Sequence, residues 1–397
     1  MTSVVVLDGA RTAFGRFGGS LRGVAANQLG IAAAHGALAK SRIDPGAVDH
    51  VAFGNVVHSS GDAVYLARHV GLGAGLRIEC PAVTLNRLCG SGLEAAVYGA
   101  RLIETREAEL VLAGGTENMS QAPFVLRGAR EGLPLGPAVL DDTLWAALTD
   151  TACGLGMAET AENLAARYHI TREAQDEFAA RSHALAARAR AEGRFAAEIV
   201  PVDAASVANG ARGTPKPVVE DEHIRSESTV ERLARLPARF REHGTVTAGN
   251  SSGINDGAAA VVLASARAAE RLGVRPLGRL VSWAVVGVPP EIMGIGPAPA
   301  SREALARAEL RLDQMDVVEI NEAFAAQYLA VEQELGLDRD RVNVNGGAIA
   351  LGHPLAASGA RLLLTLLYEL RRRAGRFGLA ALCIGGGQGI AAVVEAA

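Results

Sequence analysis

Short aliphatic runs alternate with alanine-rich stretches of helical period along most of the chain. Val4 to Leu7, Ala82 to Leu85, Leu110 to Ala113 and Val261 to Leu263 are apolar almost without interruption. That is the pattern of strands covered on both faces, and their alternation with helical stretches predicts an α/β architecture with buried sheets. From about Pro123 to Thr245 the pattern changes. Charged, arginine-rich helical stretches are separated by loop-like segments such as Ala208 to Pro217, and the block ends in the Gly-rich TVTAGNSSGINDG. It reads as an insertion over 121–248, interrupting a first half made of 1–120 and 249–273. Its best helix starts after Thr171, a good N-cap, and runs to about Glu192, where Gly193 stops it. A boundary falls near Gly273 to Pro276, and a new strand pattern at Leu277 opens a second half over 274–397.

The two halves carry a weak repeat. Ser91-Gly92 opens a helix, followed by a strand running into Gly114-Gly115; Ser358-Gly359-Ala360 opens another, followed by a strand from Leu379 into Gly385-Gly386-Gly387. Two similar α/β halves would gather both glycine turns and both helix starts around one pseudo-twofold axis, at a shared cleft.

Composition narrows the function classes. A length of 397 residues suggests two or three units at roughly 150 residues each. A net charge of −4 without a basic stripe argues against nucleic acid. The start, MTSVVVLDGARTAFG, lacks the basic region and long apolar stretch of a signal peptide, and no apolar run is long enough to span a bilayer. Cys80, Cys89, Cys153 and Cys383 form no CxxC pair, so neither zinc nor a disulfide framework is expected; a reducing, cytoplasmic compartment fits. The 46 glycines point to tight loops around a site.

Three segments carry candidate chemistry. In TLNRLCGSGLEAA, Cys89 falls on a sharp strand-to-helix turn, where the helix N-terminus favours a thiolate; a buried structural cysteine is the alternative. His353, between Gly352 and Pro354 in a glycine-dense loop before a helix, is held as a general base would be, although a lone histidine is commonly a surface or satisfied core residue. Cys383 ends an apolar strand before Gly385, whose turn offers backbone N–H groups to an oxyanion; it also reads as the last cysteine of a core strand. Asn321, at a strand-to-helix junction, is either a plain N-cap or the holder of a water that reaches a substrate carbonyl. His58 sits in another small-residue loop and reads as structural or supporting. GLGAG at Gly71 follows a helix, so the dinucleotide signature fails.

NRLCGSG at Asn86, GGTENMSQAP at Gly114, GTVTAGNSSGINDGAAA at Gly244, NEAFAAQ at Asn321, NGGAIALGHPLAASGAR at Asn345 and CIGGGQG at Cys383 occur in an order and spacing that closely resemble the thiolase family over nearly the whole chain. The resemblance implies a five-layered αβαβα fold of two pseudo-symmetric halves with an inserted loop domain, assembled as a homodimer or homotetramer. It implies ping-pong transfer between coenzyme A thioesters, either condensing two acetyl-CoA or cleaving 3-oxoacyl-CoA. Cys89 would carry the acyl group, His353 assist its deprotonation, and Cys383 move the proton at the α-carbon. One oxyanion site would come from His353 with a water on Asn321, the other from the N–H groups of Cys89 and Gly385. Coenzyme A contacts map to Leu144, Arg225, Ser252, Met293, Ala323 and Phe324. Coenzyme A is substrate or product, with no tightly bound cofactor and no metal.

Two departures bear on substrate. Gly156 stands before Met157 where short-chain members often carry histidine, and Arg127 to Leu144 is shorter than in tetrameric members. Longer or branched 3-oxoacyl chains therefore stay open, as does the assembly. A decarboxylating ketosynthase would bring a second histidine in place of Cys383, and a silent coenzyme A or lipid binder would lack one of the three site residues. A cysteine hydrolase does not call for the second thiol.

Overall fold

A computed structural model describes residues 3–133, 135–203 and 217–397; the expected loop from Ala208 to Pro217 lies, except for Pro217, outside them. The N-terminal half runs through β1 (Val4–Thr12), α1 (Ala26–Ser41), β2 (His50–Gly54), α2 (Leu66–Gly73), β3 (Ala82–Leu85), α3 (Ser91–Glu104) and β4 (Leu110–Asn118). A block containing α4 (Met157–Arg167) and α5 (Arg172–Ala191) follows before the chain re-enters the same sheet as β5 (Asn255–Ser265). The C-terminal half consists of β6 (Gly278–Gly287), α6 (Pro297–Arg307), β7 (Val317–Ile320), α7 (Ala325–Leu335), α8 (Ala348–Leu351), α9 (Leu355–Arg373), β8 (Phe377–Ile384) and β9 (Gln388–Ala396).

The strand order is β7-β8-β9-β6-β1-β5-β4-β2-β3, and among the described residues the sheet joins the two halves where Val4–Val6 of β1 pair with Gly278–Leu280 of β6. Each half repeats one pattern. β1 and β6 lie antiparallel to β5 and β9, which lie antiparallel to β4 and β8, which lie parallel to β2 and β7. β3 extends the first sheet beside β2, and a bridge at Val342 does the same beside β7. Cys89 follows β3 and His353 follows Val342, so the pseudo-symmetry puts them at equivalent positions.

Strand alternation builds the layers. Val111 and Ala113 of β4 face a core shared with α3, α9 and the strands of the other half, whereas Leu110 and Leu112 face α1 and α2. A third core packs α6 and α7 on the far face of the C-terminal sheet. The result is helix, sheet, helix, sheet, helix. Glycine allows the central contact: a Cβ on Gly92 would stand 2.5 Å from the Ala356 carbonyl oxygen, and one on Gly359 2.3 Å from the Leu93 nitrogen.

Thr171 accepts a hydrogen bond from Ala174 N at 3.2 Å to start α5, which ends with Glu192 as C-cap and Gly193 at φ 68°. Two expectations need correction. The helix expected to open at Ser358 begins at Leu355, because Pro354 supplies its N-cap. Gly114-Gly115 form no turn but lie inside β4, where a Cβ on Gly115 would come within 1.9 Å of the Ala356 carbonyl oxygen. Their missing side chains serve close packing, and of the two glycine runs it is the second that turns left-handed, with Gly386 and Gly387 at φ 79° and 78°.

Candidate active site

The turn carrying Cys89 is held by its own side chains. Asn86 Oδ1 accepts from Leu88 N at 2.9 Å, and Ser91 Oγ accepts from Arg87 N at 2.8 Å while donating to Leu88 O at 2.7 Å. These bonds keep Leu88 in the left-handed region at φ 46°, which costs a non-glycine residue about 1–2 kcal/mol. Cys89 is partly exposed and packs against Met119, Leu144 and Leu355. The Gly385 N–H reaches its sulfur, which favours the thiolate, but desolvation by the surrounding atoms wins and pushes the thiol up to about 11. The helix terminus therefore does not yield the resting thiolate expected from the turn: Cys89 rests protonated and needs a base.

His353 is 4% exposed, and burial, followed by the charge of Arg361, lowers its pKa to about 3, so the ring is neutral. Its tautomer follows from Ser358. That hydroxyl donates to Pro354 O at 2.9 Å, so at 2.6 Å from His353 Nδ1 it accepts, and Nδ1 carries the proton. Nε2 is then bare, with Asn321 Nδ2 at 3.4 Å as its donor. Asn321 is buried at the end of β7, and its Oδ1 has no hydrogen-bond partner among the described residues. Glu322 beside it accepts from Ser182 Oγ at 2.6 Å, Asn343 Nδ2 at 2.8 Å and Ile349 N at 3.2 Å, which fastens the loop that leads to His353.

Cys383 is fully buried near the end of β8 and clusters with Met293, Ala323, Met157 and Phe324. Burial, and then the neighbouring Cys89, raise its pKa well above the usual thiol range. The two thiols thus stand near enough for the charge of one to act on the other, and Gly385 opens the turn beyond Cys383. Its free side fits Met157, whose sulfur lies 3.3 Å from where a Gly385 Cβ would stand.

The other candidates divide. Leu144 packs beside Cys89, while Met293, Ala323 and Phe324 pack beside Cys383; Ser252 N donates to Ala323 O at 2.9 Å. Arg225 is exposed and outside these clusters, with its N–H on His183 Nδ1 at 3.2 Å. His58 is exposed. Gly156 N donates to Glu159 Oε2 at 2.7 Å, making it the N-terminal boundary of α4. Sequence reasoning missed Ser358, Asn255 and Glu117. A serine in the first turn after His353 was a usable signal for the first. Asn255 and Glu117 reach the His353 loop from 98 and 239 residues away, and nothing local marks them. Among the described residues, no histidine, cysteine and carboxylate cluster could hold a metal.

Known proteins resemble the chain along its length. A model of the thiolase N-terminal domain matches residues 4–267 and one of the thiolase C-terminal domain matches 274–396. The mitochondrial 3-ketoacyl-CoA thiolase of Bos taurus is 49% identical, covering 100% of this chain and 98% of its own. The acetyl-CoA acetyltransferase of Cupriavidus necator is also 49% identical, with 100% of both covered. The crystal structure of human mitochondrial 3-ketoacyl-CoA thiolase in complex with CoA superposes with a TM-score of 0.96 at 48% identity, covering 100% of this chain and 98% of that one.

Proposed function

This chain belongs to the thiolase family, and from that premise we propose that it cleaves or builds 3-oxoacyl-CoA through an acyl-enzyme on Cys89. In cleavage, His353 Nε2 takes the Cys89 proton as Sγ adds to the 3-oxo carbon. The C2–C3 bond breaks, and the departing acetyl-CoA enolate takes a proton from Cys383. Proton exchange returns His353 and Cys383 to their starting states. An incoming CoA thiol then attacks the acyl-enzyme, passing its proton through Nε2 to the departing Cys89 sulfur. Condensation is the reverse path.

The bare, neutral Nε2 of His353 supports this reading most directly, because a thiol with a pKa near 11 needs such an acceptor. Once protonated, Nε2 becomes a donor for an oxyanion, with Asn321 beside it to hold a water. The N–H groups of Cys89 and Gly385 form the second oxyanion site, and a donor of this kind is worth about 3–4 kcal/mol. Leu144, Met293, Ala323, Phe324 and Ser252 would line the thioester and pantetheine path, with Arg225 nearer the nucleotide end. The thiol of Cys383, where a decarboxylating ketosynthase would bring histidine, supports thiolase chemistry.

The same reading takes coenzyme A as substrate and product without a tightly bound cofactor, and divides the chain into halves 1–120 with 249–273 and 274–397 around a loop domain, 121–248. It also takes the compartment as cytoplasmic, which four free cysteines support. A homodimer, or a pair of dimers, is supported by the half-exposed apolar edge strand β3 and by exposed Phe124, Val139, Leu140 and Trp145.

The test is thiolysis of 3-oxoacyl-CoA thioesters of increasing chain length, with Cys89→Ala and Cys383→Ser alongside. Activity lost in Cys89→Ala is expected, and its peak along the series names the acyl chain. Wild-type protein that binds CoA but is inert at every length would defeat the reading.

A further inference from the structure

Cys89 and His353 come from opposite halves of the molecule. Only contacts between the halves set their separation. Some of those contacts are apolar and non-directional, as where α3 packs against α9 through Gly92 and Gly359, and the pairing of β1 with β6 adds backbone hydrogen bonds. Side-chain hydrogen bonds cross the same boundary as well, Arg87 Nη1 to Gln388 Oε1 at 3.1 Å and the Tyr368 hydroxyl to Asp8 Oδ1 at 2.5 Å among them, and two buried side chains of the N-terminal half reach the His353 turn itself. Asn255, the first residue of β5, accepts from His353 N at 3.0 Å through Oδ1 and donates to Gly15 O at 2.9 Å through Nδ2. Glu117, near the end of β4, accepts from Ala356 N at 3.2 Å, and the same carboxylate accepts from Val56 N at 3.2 Å and Val57 N at 2.9 Å. Val56 belongs to the apolar cluster that packs on Cys89.

The two side chains sit on paired strands whose register sets Gly257 opposite Glu117 and Asp256 opposite Asn118. Both are fully buried. They grip His353 and Ala356 at the two sides of the turn that leads into α9. Gly352 completes the fit: at φ 103° it lies so close that a Cβ there would be 2.4 Å from Asn255 Cγ.

We propose that Asn255 and Glu117 are positioning residues, a two-point clamp from the N-terminal half that sets His353 of the C-terminal half against Cys89. The inference rests on the role given to His353 above. The physical need is directional: misplacing a base by about 1 Å can cost about 100-fold in rate, and the hydrogen bonds of Asn255 and Glu117 act on the His353 turn itself.

The test uses the full-length protein. Thiolysis kinetics, the pH profile of Cys89 alkylation by iodoacetamide, and thermal unfolding are measured for wild type, Asn255→Ala, Glu117→Gln and His353→Gln. Asn255→Ala removes the grip without changing charge. We expect kcat to fall about 10- to 100-fold with KM for CoA within about two-fold, and the alkylation profile to move upward by about one pH unit as the thiol loses its acceptor. Glu117→Gln keeps the shape and should lower kcat in the same direction; it carries the test if Asn255→Ala does not fold. Folded variants with a lower melting temperature but unchanged kcat and an unmoved profile would reduce both residues to structural roles and overturn the proposal. If His353→Gln also leaves the profile unmoved, the role of His353 falls as well; if it moves the profile and the clamp variants do not, the clamp alone is wrong.

Discussion

The part proposed for His353 depends on a hydroxyl one turn further along the chain. Ser358 spends its proton on Pro354 O, so it can only accept from Nδ1, and that choice leaves Nε2 free to receive a proton. Replacing Ser358 with alanine should let the ring sample the other tautomer. We expect kcat to fall about 10- to 100-fold, part of the roughly 100- to 10,000-fold that a positioned acid–base group supplies, with KM for CoA little changed. Steady-state kinetics across pH 6–9 on the folded variant would check this, and an unchanged kcat would show that the tautomer is fixed by other means. Desolvation is the common cause behind these residues. It raises both thiols and lowers the histidine, keeping all three neutral until substrate arrives.

At the scale of elements, the close approach of α3 and α9 aligns the two chemistries. Gly92→Ala would drive a Cβ into the Ala356 carbonyl, a backbone atom that cannot swing aside. A loss of about 1–3 kcal/mol is expected, the usual cost of overpacking, together with reduced activity because both site helices must separate. Urea unfolding and turnover measured on the same preparation would test the pairing of the two effects. Thr171→Ala makes the contrast. It removes a cap at the N-terminal end of α5, about three turns before Ser182, whose hydroxyl fastens the His353 loop, so stability should drop by about 1 kcal/mol while kcat holds. A comparable loss of turnover in Thr171→Ala would mean that α5 is coupled to the chemistry.

For the whole molecule, acid should be destabilising through a countable set of groups. His183 and His223 are both lowered to about 4, first by burial and then by neighbouring positive charge, and His353 to about 3. The unfolded chain binds protons at these three sites from about pH 6.5 downward, while the folded chain does not until about pH 4. Stability is therefore expected to fall as pH drops from about 6.5 to 4. Buried Glu319, raised to about 8 by desolvation, acts with the opposite sign, favouring the folded state as pH falls from about 8 to 4.5. The His183→Gln/His223→Gln double variant, in which an amide oxygen can still accept from Arg225 N, should flatten the fall in melting temperature between pH 6.5 and 4. Melting curves in a pH series would show it, and an identical slope would mean that other groups carry the acid sensitivity.

The sequence by itself determined what depends on near neighbours. Uninterrupted apolar runs marked strands buried on both faces, except Ala82 to Leu85, which forms the half-exposed edge strand β3; Thr171 and Gly193 bounded a helix, and the turns around Cys89, His353 and Cys383 were legible because glycine, proline and serine stand within a few residues of each. Tertiary structure decided what depends on distance and dielectric. It showed that Gly114-Gly115 sit inside a strand, since the obstruction that requires them, the Ala356 carbonyl, comes from the other half. It turned the expected thiolate into a thiol, because the desolvation of Cys89 is a property of everything packed around it and exceeds the pull of one helix terminus. And it brought Asn255 and Glu117 to the His353 loop, an arrangement no local pattern encodes, because hydrogen bonds across two halves exist only after both have folded.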